Sequence, residues 1–419
     1  MLFNSLAFAI FLPIVFIIYW TIPQKYRWCV LLVSSYYFYM SWNPKYVVLI
    51  LGTTLISYIA CILIEKSKSR ARKRVVIIAT AIVCLGVLFI FKYFNFAMES
   101  FFAILKISGL SLNPITLKLL LPVGISFYTF QTLSYVIDVY RGDIEAEQHF
   151  GYYATFISFF PQLVAGPIER TSNLLPQIKA KHQFDEALAS SGMRLMLWGF
   201  FKKIIIADTM AFYVDKVYGT INKQEGFSLI LAIFFFTMQI YCDFSGYSDI
   251  AVGTSKLLGI KLMKNFDCPY LATSINEFWK RWHISLSTWF RDYVYIPLGG
   301  NRCSKNKQKI NLLVTFLVSG LWHGANWTYV FWGGIHGVAQ IIENSCAKGI
   351  TKIKKSKFGL LLSWAFVFLF CNIAWVFFRA TTIHEAFYVL THWITGMNNP
   401  IVYIKKGFLD AGMWKEELC

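Results

Sequence analysis

Ile310-Asn-Leu-Leu-Val-Thr-Phe-Leu-Val-Ser-Gly-Leu-Trp-His323-Gly-Ala-Asn-Trp-Thr-Tyr-Val-Phe-Trp-Gly-Gly-Ile-His336-Gly-Val-Ala-Gln-Ile-Ile342 is a long apolar run carrying two histidines. Each histidine is followed at once by a glycine, and Trp322, Asn326, Trp327, Thr328 and Trp332 surround them. Basic loops flank the run: Arg302, Lys305, Lys307 and Lys309 before it, Lys348, Lys352, Lys354, Lys355 and Lys357 after it. With both loops cytoplasmic, as the positive-inside rule predicts, the stretch enters the bilayer and returns. His323 lies fourteen positions after Lys309. At about 1.5 Å per helical residue it stands about 21 Å in, within a hydrocarbon core of about 30 Å. An ionisable side chain at such depth is a functional-site hypothesis by default.

Composition agrees with a bilayer. Of 419 residues, 57% are hydrophobic and 15% charged, against about 25% charged in ordinary globular domains. The net charge of +18 sits in short loops between apolar runs, where it sets topology and meets anionic lipid. Nucleic acid is therefore excluded as a partner, whereas an anionic cytosolic cosubstrate is compatible. The nine cysteines form no CxxC pair, and those in apolar runs read as small hydrophobes.

Working outward, apolar runs at 6–20, 29–42 and 46–64 precede the strongest charge run, Lys66 to Arg74. Placing that run in the cytoplasm puts the N-terminus outside. Runs at 75–91, 120–140, 193–207, 227–241 and 359–378 continue the pattern, whereas 152–164 is interrupted by Pro161, Gly166 and Pro167. A broken apolar segment at membrane depth has to be buried in protein, so this one reads as re-entrant or interfacial. Residues 256–282 read as an amphipathic stretch along the cytoplasmic face. The expectation is an all-α polytopic membrane protein, one domain over 1–419, with about ten to twelve helices around a buried histidine site.

On one straight helix His323 and His336 would face apart by about 220°, and Gly333-Gly334 offers a break between them. Packing as a helix–helix hydrogen-bonder competes with a functional role for His336. A neutral His323 suits a general base, because desolvation holds its pKa down and its free nitrogen can take a proton from an alcohol. Small Gly324 and Ala325 leave room beside its ring. No His-Glu-x-x-His, Gly-x-Ser-x-Gly, Gly-x-x-x-x-Gly-Lys or Gly-x-Gly-x-x-Gly occurs, so no metal and no nucleotide cofactor is expected. Residues 276–302 set Lys280, Arg281 and Arg291 among Trp279, Trp282, Trp289, Tyr293 and Tyr295. Two readings fit that pattern: an interfacial anchor, or a donor-binding surface for phosphates and an adenine ring. Asp243 and Asp249, in Cys242-Asp-Phe-Ser-Gly-Tyr-Ser-Asp249, orient a histidine or, as the preferred reading, mark a helix break.

The strings Leu-Leu-Pro-Val-Gly-Ile-Ser-Phe-Tyr-Thr-Phe-Gln (120–131), Phe-Phe-Pro-Gln-Leu-Val-Ala-Gly-Pro-Ile-Glu-Arg (159–170), Asp-Phe-Ser-Gly-Tyr-Ser-Asp (243–249), Phe-Trp-Lys-Arg-Trp-His-Ile-Ser-Leu-Ser (278–287) and Gly-Leu-Trp-His-Gly-Ala-Asn-Trp (320–327) resemble the membrane-bound O-acyltransferase family, nearest its alginate O-acetyltransferase branch. The likeness runs in order over nearly the whole chain. It implies a cell-membrane enzyme that takes an acetyl group from acetyl-coenzyme A or another cytosolic acyl thioester. The group passes outward to exopolysaccharide hydroxyls, with an extracytoplasmic partner protein completing delivery. It implies that His323 is catalytic and that His283 is the second histidine of the site, lining the approach of the donor, with Trp322, Asn326 and Asp243 beside them. D-alanyl transfer from a carrier-protein thioester to teichoic acid is the neighbouring alternative, and a proton-coupled transporter the alternative from another class, for which no internal repeat is seen. The family commonly continues into further apolar spans after the position of Phe378, where this chain ends at Leu418-Cys419.

Overall fold

A computed structural model describes residues 1–110, 113–164 and 166–410; the family-pattern departure at the chain's end lies outside the described residues. All regular structure among them is helical. Twenty α-helices occur among the described residues rather than the expected ten to twelve, because several apolar runs are divided into short pieces. Among the described residues four helical stretches are long and apolar enough to cross a membrane: Pro44–Lys66, Arg70–Ile107, Phe227–Leu257 and Lys357–Arg379. The helices gather into two compact units, Met1–Phe200 with Tyr247–Lys264, and Phe201–Gly246 with Asn265 onward.

The first unit holds α1 (Leu6–Thr21), α2 (Arg27–Met40), α3 (Val47–Lys66), α4 (Arg70–Leu88), α5 (Phe94–Ile107), α6 (Ile125–Arg141), α7 (Phe150–Ser158), α8 (Phe160–Leu163), α9 (Thr171–Lys179) and α10 (Glu186–Phe200). Side chains cap the exposed helix starts: Ser5 Oγ accepts from Phe8 N–H, and Ser69 Oγ from Arg72 N–H. The interrupted segment at 152–164 is a broken helix buried in protein, as read from its prolines. The break falls at Phe159, between α7 and α8. Phe160 N–H donates to Ser35 Oγ at 3.0 Å, while the side-chain amides of Gln131 and Gln162 donate to Phe156 O at 2.8 and 3.0 Å. These bonds satisfy the backbone groups that the break releases. Gly124 starts α6 with φ +74°, and a Cβ there would lie 2.5 Å from Leu163 O, so glycine is required for both reasons.

The second unit begins with a π-helical turn, Phe201–Ala207, followed by α11 (Asp208–Gly219). α12 (Phe227–Leu257) supplies its residues 227–246 to this unit. α13 (Ile275–Arg281), α14 (Ile284–Phe290), α15 (Lys305–His323), α16 (Trp327–Ser345), α17 (Ala347–Ile353), α18 (Lys357–Arg379), α19 (Ile383–His392) and α20 (Pro400–Asp410) complete it. Trp332 and Trp375 are among its largest fully buried side chains.

Two expectations are corrected here. α12 runs unbroken through Asp243 and Asp249, because the polar groups on it find partners: Ser245 Oγ accepts from Lys202 Nζ at 2.9 Å and Asp243 pairs with Lys203 at 2.6 Å. Residues 256–282 do not form one continuous amphipathic stretch. Gly259 turns the chain out of α12 at φ +76°, and it continues irregularly to a 3₁₀ turn at Pro269–Leu271 and to α13.

Candidate active site

α15 and α16 form an antiparallel hairpin, so the apolar run folds back on itself. The turn falls at Gly324–Asn326, not at Gly333-Gly334. Asn326 determines it. Its Oδ1 accepts from Thr328 N–H at 3.0 Å, capping α16, and its Nδ2 donates to Thr381 O at 2.9 Å. Asn326 thus holds the turn instead of facing a substrate. Gly333 serves close packing: a Cβ there would meet Phe316 O at 2.3 Å, and one on Gly320 would meet Tyr329 O at 2.2 Å. The space beside Gly324 is taken by the Tyr329 ring, 2.1 Å from an added Cβ. The room expected there for a substrate is filled.

His323 ends α15, half-buried. Its ring stands edge to face with Trp322 at 4.9 Å, Trp332 at 5.1 Å and Phe378 at 5.3 Å. His283 lies in the same unit between α13 and α14, 1% exposed. Its backbone is left-handed (φ 42°, ψ 56°), one of two non-glycine residues with positive φ among those described. Such a conformation costs about 1–2 kcal/mol and persists where surrounding contacts impose it. Asn265 imposes it. Asn265 Oδ1 accepts from Ser285 N–H at 3.2 Å and Ser285 Oγ at 2.9 Å, and lies 3.1 Å from His283 Nδ1. Because a backbone N–H can only donate, the amide atom is the oxygen. Nδ1 therefore carries the proton and Nε2 the lone pair.

Trp322 packs edge-on to both imidazoles, 6.2 Å from His283 and 4.9 Å from His323, and Phe244 closes on His283 at 4.6 Å. Burial, foremost, holds the pKa of His283 well below its ordinary value, and a charge on His323 lowers it further. The pair can therefore carry at most one positive charge comfortably, which suits proton transfer to and from a hydroxyl.

His336 does not join them through hydrogen bonds. Trp279 Nε1–H donates to its Nδ1 at 3.2 Å, and Phe278, Phe316, Trp332 and Phe370 surround the ring. The packed role fits what is seen. Asp243 forms a half-exposed ion-pair cluster with Lys203, which also meets Asp208 at 2.7 Å. Its side chain engages Lys203 and no histidine bond to it is seen. Of the three basic residues, Lys280 is exposed, Arg281 pairs with Glu277 at 2.7 Å and Arg291 with Asp292 at 2.7 Å. The two arginines are each engaged by a neighbouring carboxylate. Sequence reasoning missed Asn265, Ser285 and Phe378. Asn265 sits in an irregular segment with no periodicity to single it out, and Phe378 reads from sequence only as the end of a span.

Residues 144–382 match the membrane-bound O-acyltransferase family. The chain is 41% identical over 390 residues to a probable alginate O-acetylase AlgI of Pseudomonas putida, covering 92% of this chain and 79% of that protein. It is 36% identical over 425 residues to a peptidoglycan O-acetyltransferase of Helicobacter pylori, covering 93% and 79%. It is 30% identical over 278 residues to a teichoic acid D-alanyltransferase of Streptococcus thermophilus, covering 62% and 67%. With its helical spans and its paired histidines, the chain belongs to the membrane-bound O-acyltransferase family and is a multi-pass membrane enzyme that transfers acyl groups to oxygen.

Proposed function

We propose that this enzyme takes an acetyl group from a cytosolic thioester, acetyl-coenzyme A in the simplest case, and delivers it outward for O-acetylation of a cell-envelope polysaccharide. The supporting observation is the pairing of His323 with a neutral His283 across Trp322. His323 takes the hydroxyl proton as the oxygen attacks the thioester carbonyl. His283, unable to take up a second proton cheaply, stays neutral beside it. Binding at a fixed distance supplies the rest of the acceleration. Relatives acting on alginate and peptidoglycan align over more of the chain, and at higher identity, than the D-alanyl relative, which favours acetyl over D-alanyl as the cargo. An extracytoplasmic protein that accepts the acetyl group, residence in the cell membrane and an outside N-terminus complete the reading.

The test uses purified protein in lipid with radiolabelled acetyl-coenzyme A. Release of free coenzyme A, stimulated by a polysaccharide acceptor or by an acceptor protein and absent in His323→Gln, is expected. Turnover of a D-alanyl carrier-protein thioester in place of acetyl-coenzyme A would replace the reading by the alternative.

A further inference from the structure

Trp332 carries a hydrogen-bond donor that the two histidines do not use. Its indole is 0% exposed and Nε1–H meets no acceptor among the described residues. The ring cannot swing to find one. It stacks on Trp375 at 5.6 Å and stands edge-on to Phe378 at 5.2 Å and Trp279 at 5.7 Å. It stands perpendicular, at 88°, to the His323 ring 5.1 Å away. One turn later on the same face of α16, His336 repeats the pattern. Its Nδ1 accepts from Trp279, so its proton is on Nε2, which also meets no acceptor among the described residues. A buried donor left unmet is costly, and native structures hold few. Two on adjacent turns, beside a catalytic imidazole, mark a place short of an acceptor.

We propose that Trp332 Nε1–H donates to the carbonyl oxygen of the acyl thioester and holds the charge that develops there. This rests on the acyl-transfer reading. The hydroxyl oxygen bonds to the carbonyl carbon while His323 takes its proton, leaving negative charge on the carbonyl oxygen. Collapse of that oxyanion breaks the carbon–sulfur bond, and the proton passes to the departing sulfur, giving ester and thiol. A donor fixed in place before the charge appears binds the transition state more tightly than the ground state. The apolar rings around the indole strengthen that bond by excluding water.

The decisive variant replaces Trp332 with 3-benzothienylalanine, in which sulfur stands for the N–H within the same bicyclic shape; Trp332→Phe is the genetically simple companion. Both are made in the full chain in lipid and assayed with radiolabelled acetyl-coenzyme A. The isostere is expected to lose about 10²–10³-fold in kcat, the scale of one oxyanion donor, with the donor KM little changed. Its thermal midpoint should hold or rise, because an unmet buried donor is gone. A purely structural indole gives the reverse: near-normal kcat in the isostere, with any loss in Trp332→Phe following a fallen midpoint. That result overturns the proposal while leaving acyl transfer intact. Wild-type protein that turns over no acyl thioester removes both.

Discussion

Glu169 in the first unit and His283 in the second are alike in burial and unlike in company. Both are titratable side chains in loops outside the spanning helices, at 0% and 1% exposure. Glu169 has one oxygen accepting Met263 N–H and the other accepting Asn173 Nδ2–H at 2.6 Å. Burial still pushes its pKa up to about 7, against the opposing pull of those bonds and of Arg170. His283 has one nitrogen committed to Asn265, while its ring faces Phe244, Trp322 and the influence of a second imidazole. A buried ionisable group bound on both its oxygens reads as structure. One held by an amide and set beside another titratable group reads as chemistry.

His323→Gln gives the largest effect. An amide cannot take the proton, so acetyl transfer at equal folded protein should fall by about 10²–10⁴-fold. If Glu169→Gln lost as much at normal stability, the contrast between the two regions would collapse. Asn265→Asp comes next. A carboxylate against Nδ1 favours the imidazolium, so the acid limb of the kcat/KM profile should move to higher pH. An unmoved limb would show that the protonation state of His283 does not matter to turnover.

Glu169→Gln should change stability more than rate. The folded pKa of Glu169 lies above its ordinary 4.5, so its contribution is complete below that value and is lost as pH rises through about 7. Thermal midpoints of the wild type should therefore decline between pH 5 and 8.5, and the glutamine variant should flatten the curve. Neutralising Lys280, Arg281 and Arg291 together should do least. The arginines already hold Glu277 and Asp292, and exposed pairs contribute about 0–1 kcal/mol. A small rise in donor KM at low salt is expected, and a large one would restore a donor-binding surface there.

What could be read from sequence was whatever periodicity and charge control. The long apolar helices, the hairpin carrying His323 and the broken segment before Glu169 all announce themselves in residue patterns. The position of the hairpin turn was ambiguous because a Gly-Gly pair serves equally for breaking a helix and for letting another backbone approach. Gly333 does the latter against Phe316. The Asn326 cap was the better signal. Asp243 looks helix-breaking from sequence because its lysine partner lies forty residues away in the chain. Asn265 had no pattern to reveal it: a single amide in an irregular segment gains meaning only when folding brings it to His283.

The left-handed backbone at His283 bears on how this position can drift. Asparagine and glycine adopt that conformation far more readily than alanine or a branched side chain. The substitutions open to a diverging lineage are therefore the polar amide or no side chain at all, with the loop keeping its path. Alanine scanning would confuse imbalance in the main chain with loss of imidazole, whereas an asparagine or glycine variant isolates the chemistry.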